Sequence, residues 1–372
     1  GMMIVEGVDG LFGVDAYNGR VVWEYPIKGI LAPYNQEHLL GTAGTHSNMC
    51  VADGSVFVRH KDRCLRIDLQ TGGKQQEYVM PGARWGFIAC DNGTLFGTSA
   101  DTNYVPRHLY RGSNMAEMLT QSEELFAFDS ASGRRLWSYK ASQSIRHNAI
   151  AIGNGSVFII DSTLIDADRA KRLGKQDPVE STLLCLDAGT GKVRWRQTND
   201  VYGTTLVLSA QHKMLLMCYQ YSQRSFQFGS EPGNRLTGFN AATGERVWDT
   251  RLDGKTRYLS RPLINGQTIY AQPLAWDLMT GKPKQDYVMK GRQPGGCGNI
   301  SGSRHLMLYR SGPLSYIDLA QDEKVNQTYG PMRPGCWINA IPAGGLVLMP
   351  DATDGCKCTY LMKVSVGLQP MD

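Results

Sequence analysis

Leu125-Phe-Ala-Phe-Asp129-Ser-Ala-Ser-Gly133-Arg-Arg-Leu-Trp137 decides the fold, because the chain writes it again and again. Leu236-Thr-Gly-Phe-Asn240-Ala-Ala-Thr-Gly244-Glu-Arg-Val-Trp248 is a second copy, and Leu11 to Trp23 and Leu183 to Trp195 are two more. Weaker copies centre on Asp68/Gly72, Asp277/Gly281 and Asp318. In each, apolar and small residues alternate as in a half-buried strand. Asp-x-x-x-Gly is a tight turn, with the acid accepting backbone N–H groups and the glycine taking a positive φ. The Trp is a large plate for the gap between neighbouring sheets.

Successive acids lie 37 to 61 residues apart, too uneven for a rigid solenoid. Two more apolar runs precede each signature, such as Ala149–Ile152 and Ser156–Ile160. The repeat therefore reads as strands A, B, C and D, with the signature covering C and D. The expected fold is all-β: a single β-propeller of four-stranded blades, eight favoured and seven the alternative count. Residues 3–368 read as one propeller domain. The opening Gly1-Met2-Met3 resembles a cleavage scar, and the domain is expected to come from a larger protein.

The signature resembles the tryptophan-docking motif of the PQQ-like, or quinoprotein-type, propellers, over roughly residues 5 to 330. That bacterial family includes quinoprotein alcohol dehydrogenases and a periplasmic propeller lipoprotein of outer-membrane protein assembly. The resemblance implies the fold and an extracytoplasmic setting, in the periplasm or cell envelope. The motif is a packing device, so no catalytic role passes to its Asp, Gly or Trp residues. Segments from Gly335 to Tyr360 also resemble PQQ-like domains of large bacterial proteins. The family's enzymes are longer and carry adjacent cysteines over the quinone; this chain has no Cys-Cys pair. A PQQ cofactor with Ca²⁺ needs a site of carboxylate and amide oxygens, a catalytic Asp base and planar walls; the predicted mouth is rich in Arg and Asn but poor in Asp and Glu, while its Arg residues would suit an anionic quinone.

The net charge of +5 over 372 residues comes without a Lys/Arg block, which argues against nucleic acid. No apolar run is long enough to span a membrane. Cys-x-x-Cys-His, a P-loop and His-Glu-x-x-His are all absent, so covalent haem, nucleotide and zinc-protease chemistry have no motif to rest on.

In an up-and-down blade, the start of A and the B–C connection lie on one face of the disc. Three long insertions, residues 101–124, 163–180 and 221–234, all fall between B and C, which points to a binding surface there. The residues opening the A strands are His46 and Asn48; Arg84 and Trp85; Arg146, His147 and Asn148; Arg261; Cys297 and Asn299; and Cys336, Trp337 and Asn339. Arg84, Arg146 and Arg261 suit a carboxylate or phosphate, and Trp85 and Trp337 offer stacking surfaces. The alternative is that these polar groups only satisfy strand ends and channel water. Cys356-Lys-Cys358 falls on the same face as Cys336 and Cys297. Disulfides are the first reading for an exported chain, four thiolates on zinc the second, inert reduced thiols the third. Cys185 and Cys218, in apolar strands, read as core.

The sequence thus favours a non-catalytic propeller that binds a small anionic ligand or acidic peptide at the channel mouth. A PQQ-dependent dehydrogenase domain and a protein-interaction scaffold of the cell envelope, contacting its partner through the three insertions, are the alternatives.

Overall fold

The computed structural model describes residues 1–30, 48–102, 121–163, 180–218, 235–251, 262–271, 274–285, 287, 289, 300–311, 313–321, 325–330, 332, 340–349 and 366–369. All described regular structure is β, and the strands group into eight repeat units. Unit 1 is β1 (Met2–Glu6), β2 (Gly10–Asp15) and β3 (Val21–Pro26). Unit 2 is β4 (Met49–Ala52), β5 (Ser55–His60), β6 (Arg63–Asp68) and β7 (Lys74–Val79). Unit 3 is β8 (Trp85–Asp91), β9 (Thr94–Ala100), β10 (Gln121–Asp129) and the first half of β11 (Arg135–Gly153). Unit 4 takes the second half of β11 with β12 (Ser156–Ser162), β13 (Ser181–Asp187) and β14 (Val193–Gln197). Unit 5 is β15 (Thr205–Ser209), β16 (Met214–Cys218), β17 (Arg235–Asn240) and β18 (Arg246–Arg251). Unit 6 is β19 (Leu263–Asn265), β20 (Thr268–Ala271) and β21 (Leu274–Asp277), and unit 7 is β22 (Ser301–Gly302), β23 (Leu306–Arg310), β24 (Leu314–Asp318) and β25 (Asn326–Thr328). Unit 8 is β26 (Ile341–Ala343), β27 (Leu346–Met349) and β28 (Val366–Leu368).

Every strand pairs antiparallel with its sequence neighbour inside a unit. The signature turns behave as their chemistry dictates. In unit 2, Asp68 Oδ1 accepts the N–H groups of Gln70 (3.0 Å) and Thr71 (2.8 Å), and Gly72 donates to the Asp68 carbonyl. Asp129, Asp187 and Asp277 repeat the pattern, and Asn240 does so with its amide oxygen. These backbone donors hold the Asp68 and Asp129 carboxyls below the usual carboxylate range. A register shift precedes the turn in each full signature, for example between Ala127 and Phe128, as a bulged hairpin requires.

The tryptophans join one unit to the next. The indole Nε1 of Trp23, Trp137, Trp195 and Trp248 donates to the carbonyl of Leu69, Ala188, Ala241 and Leu278 in turn, at 2.8 to 3.1 Å. Each ring lies on the turn glycine of the receiving unit. A Cβ built on Gly72, Gly191, Gly244 or Gly281 would stand 2.5 to 2.7 Å from the ring. Gly133, Gly191 and Gly244 have φ of 73°, 69° and 75°, as expected. Trp137 and Trp248 are buried, whereas Trp195 is half-buried against Phe158. In unit 2 Gln76 stands at the Trp position and meets Gly133 instead.

Between units 3 and 4 there is no connecting loop. β11 runs for 19 residues as the outermost strand of one unit and the innermost of the next. Backbone donors left over at this crossing need an acceptor. Asp161 supplies it, taking the N–H groups of Ser142 (2.6 Å) and Gln143 (2.8 Å) and the Tyr139 hydroxyl. Unit 7 reaches unit 8 through Ser301 and the Ala340 carbonyl, and the first unit meets the last where the Tyr17 hydroxyl donates to the Gly344 carbonyl at 2.9 Å.

Candidate functional site

A–B and C–D turns share one face of the disc. The B–C connections and the D-to-A connections share the other. The long stretches between β9 and β10, β12 and β13, and β16 and β17 all leave and re-enter at that second face. β10 resumes at Gln121, so the first insertion is shorter than 101–124. The bulk of all three, residues 103–120, 164–179 and 219–234, lies outside the described residues.

Six of the A-strand candidates are described: Asn48, Arg84, Trp85, Arg146, His147 and Asn148. His46, Arg261, Asn299, Trp337 and Asn339 lie outside the described residues, as do Cys297, Cys336, Cys356 and Cys358 with the pairing proposed for them. The described cysteines are all free, and Cys185 and Cys218 are buried in strands as expected.

Of the described candidates, Asn48, Trp85 and His147 are joined in a belt of hydrogen bonds and packing contacts. It starts at Glu6, the last residue of β1. The buried Asn48 side chain hydrogen-bonds the Glu6 carboxyl, and the Asn48 carbonyl accepts the Arg59 N–H at 2.9 Å. Burial pushes Glu6 up to about 7, against the opposing pull of the Asn48 hydrogen bond and the Arg59 charge. Arg59 Nη1 then donates to the Trp85 carbonyl at 2.9 Å. Gly86 follows, and a Cβ there would stand 2.7 Å from the His147 ring. That contact sets the Arg84–Trp85 start of β8 beside the Arg146–Asn148 stretch of β11.

Two residues take different parts from those expected. Trp85 is fully buried, so it offers no stacking face at the mouth. Its ring packs edge-on to Phe126 (4.9 Å between centroids) and stacks on Phe128 (6.0 Å), and Nε1 donates to the Asp62 carbonyl at 3.2 Å. It fills the wedge between units 2 and 3, where unit 2 lacks a docking Trp. His147, 1% exposed, is bonded inside the protein: Nε2 and Ser122 Oγ are 2.8 Å apart. Ser122 Oγ also lies 2.7 Å from Thr98 Oγ1, which accepts the Phe87 N–H at 2.7 Å. This is a satisfied polar chain across three strands.

Arg84 stands in a cationic neighbourhood. The His60 imidazole is pushed down by burial first and then by the charges of Lys61, Arg84 and Arg63, with Asp62 opposing them. The belt also holds groups outside the sequence candidates. Glu6, Arg59 and His60 sit at the ends of B strands, and Ser122 at the start of a C strand. A polar residue closing an otherwise apolar B run is a signal that could have found them. In unit 5, Arg235 is neutralised: it makes paired bonds to Asp200 (2.9 and 2.5 Å) and Asp249 (2.7 Å each) and lies 4.3 Å over the Tyr202 ring.

Among the described residues no three His, Cys, Asp or Glu side chains come together to hold a metal ion. Among the described residues Trp85, being buried, supplies no open planar wall. Among them also, no helix is long and apolar enough to cross a membrane.

Solved structures share the architecture. BamB from Moraxella catarrhalis matches with a TM-score of 0.51 at 12% identity, over 98% of this chain and 92% of that one. The computationally designed Ika8 protein matches with a TM-score of 0.61 at 11% identity, over 99% and 93%. Quinohemoprotein alcohol dehydrogenase from Comamonas testosteroni gives a TM-score of 0.48 at 12% identity, over 99% and 66%, a likeness that carries no conclusion about this chain. At these identities the first two show the fold alone. No curated protein matches the chain. The family model described as outer membrane protein assembly factor BamB matches residues 2–139 and 121–284, well over half of the chain, and this PQQ-like propeller belongs to that family.

Proposed function

We propose that this propeller is a partner-binding module of the cell envelope, working through the face that carries the B–C connections. One observation carries the reading: three long insertions leave from β9, β12 and β16 at the same face, while the opposite face keeps short turns in every described unit. A rigid ring with elaboration on one face is the usual build of a binding surface. Membership in a family described as an outer-membrane assembly factor supports the setting and a protein as partner.

The finer reading is that the partner presents an acidic segment to the mouth. Lys61, Arg84 and Arg63 stand near His60, whose imidazole is held down by burial first and by their charges second, against Asp62. Arg84 and Arg146 open adjacent A strands, with Arg261 read onto the same face from the sequence. Potential of one sign steers and orients a partner of the other.

Photo-crosslinking groups placed within 103–120, 164–179 and 219–234 test the face, with Asn92 and Asn154 on the opposite face as controls. One protein band from the first set and none from the second is expected; equal yields from both faces would refute the reading. A short glutamate-rich peptide tests the charge. Arg84→Gln with Arg146→Gln should weaken its binding more than tenfold, since a lost charge-assisted hydrogen bond costs about 1.5–3 kcal/mol. Rising salt should weaken it too.

A further inference from the structure

The joint between units 2 and 3 is held by other means than the tryptophan-docked joints. Gln76 stands at the docking position, and its amide donates to the Ser132 carbonyl at 3.3 Å. The Arg66 guanidinium (2.8 Å) and the Tyr78 hydroxyl both donate to the Ser130 carbonyl. At the inner end, Asp53 in the β4–β5 turn accepts the Gly93 N–H of the β8–β9 turn at 3.2 Å. These bonds set the innermost strands, β4 and β8, side by side and running in the same direction.

That arrangement brings two thiols together. Cys50 lies on β4 and Cys90 on β8, and Asp53 and Gly93 each stand three residues further along. Side chains alternate along a strand. Ala89 packs into the core between units 3 and 4, so its neighbour Cys90 turns back towards unit 2. Cys50 faces it across the gap and packs on the same cluster, which holds Phe57, Ile88 and Phe128. The Cys90 thiol lies 4.0 Å from Asp53 Oδ2, and the Cys50 sulfur accepts the Cys90 backbone N–H. Both thiols are free and half-buried. The third thiol of this cluster, Cys64, is fully buried on β6, with β5 between it and β4.

We propose that Cys50 and Cys90 are an oxidisable pair whose disulfide staples unit 2 to unit 3 across the joint that has no docking Trp. Two S–H bonds break and one S–S bond forms. The two electrons and two protons pass to a disulfide oxidant, whose own S–S bond opens to two thiols. Burial pushes both thiols up to about 12 in the closed joint, so little thiolate is present there at neutral pH. The bond forms as the two sheets come together, while the sulfurs are still open to the oxidant, and the closed joint then shields it from reductants. Such bonds persist in oxidising compartments. The oxidant in the cell therefore rests on the proposed envelope setting, whereas the pairing rests on the joint alone. A link from residue 50 to residue 90 also restrains the unfolded chain over β5, β6 and β7.

The test uses the full chain, refolded from denaturant in a mixture of oxidised and reduced glutathione. Remaining thiols are blocked with iodoacetamide in denaturant, and the chain is digested without reduction. Mass spectrometry should find the Cys50 peptide joined to the Cys90 peptide in most molecules, two hydrogens lighter than the two reduced peptides together. Cys64 should be recovered blocked. Dithiothreitol should lower the thermal midpoint of the refolded parent by several degrees more than that of Cys50→Ala or Cys90→Ala, a difference that removes the contribution of the other cysteines. Cys64→Ala should keep the full drop. Recovery of Cys50 and Cys90 as blocked thiols overturns the proposal, as does either one bonded to a different cysteine. An equal drop in the parent and in the Cys50 and Cys90 variants overturns the staple. A bond that forms on refolding but is missing from protein isolated from a bacterial envelope upholds the pairing and counts against the setting.

Discussion

The two faces of the disc are built by different rules. On the A–B and C–D face, the C–D turns of units 1 to 6 repeat one local code: an acid or Asn, three variable residues and a glycine at positive φ, with a Trp from the preceding unit lying on four of those glycines. On the other face nothing repeats. Connections run from the Asp62 turn between β5 and β6 to stretches of more than ten residues after β9, β12 and β16. The first face is specified by short-range chemistry, and a lesion there strikes the joints of the ring. The second is free to vary because its length costs little: doubling a loop adds only about 0.6 kcal/mol of closure entropy.

The largest effect should come from cutting a joint. Trp137→Ala removes a buried indole and its bond to the Ala188 carbonyl. About 3–5 kcal/mol of stability should go with it, read by denaturant unfolding. Trp195→Ala should cost less, since that ring is half-buried. Equal losses at both positions would show that burial does not set the strength of a joint.

Next in size is a pair of identical substitutions on matching turns. Gly191→Ala meets both the positive φ and the Trp137 ring, whereas Gly19→Ala meets the φ alone. Left-handed backbone costs a residue with a Cβ about 1–2 kcal/mol, and overpacking adds roughly 1–3 kcal/mol. The difference between the two thermal midpoints therefore measures what the docked ring contributes to the demand for glycine.

On the variable face the sharpest test is pH. Glu6 is raised to about 7 from an ordinary value of 4.5. Its raised proton affinity favours the folded state fully below about 4.5, and that stabilisation is lost as pH rises through about 7. Glu6→Gln should therefore leave stability near pH 4 little changed and raise it at pH 8, by at most about 2–3 kcal/mol. A flat difference across that range would mean the carboxyl is solvated in the folded chain.

Local chemistry was readable and long-range chemistry was not. The Asp129-to-Trp137 type of signature carries its turn, its bulge and its glycine conformation within thirteen residues, so the fold followed from it. The β11 crossing left no mark of that kind. Ser142 and Gln143 look like a connection, and the acceptor that lets the strand continue, Asp161, lies about twenty residues further on in another strand. The polar A-strand starts were visible as polar, but not their surroundings. Trp85 reads as a mouth residue until Phe126 and Phe128 are seen to cover it. Glu6 and Arg59 went unread because they close B strands, and only the sheet order brings a B end beside an A start.

Asp161 and the strand it bridges also bear on how the ring moves. Units joined only by side chains can tilt against one another about the gap between them. Units 3 and 4 share a covalent, hydrogen-bonded ribbon clamped at its bend, so this pair behaves as a single stiff plate. Breathing of the disc is then concentrated in the remaining joints. Cutting the clamp with Asp161→Asn should turn the stiffest joint into a hinge.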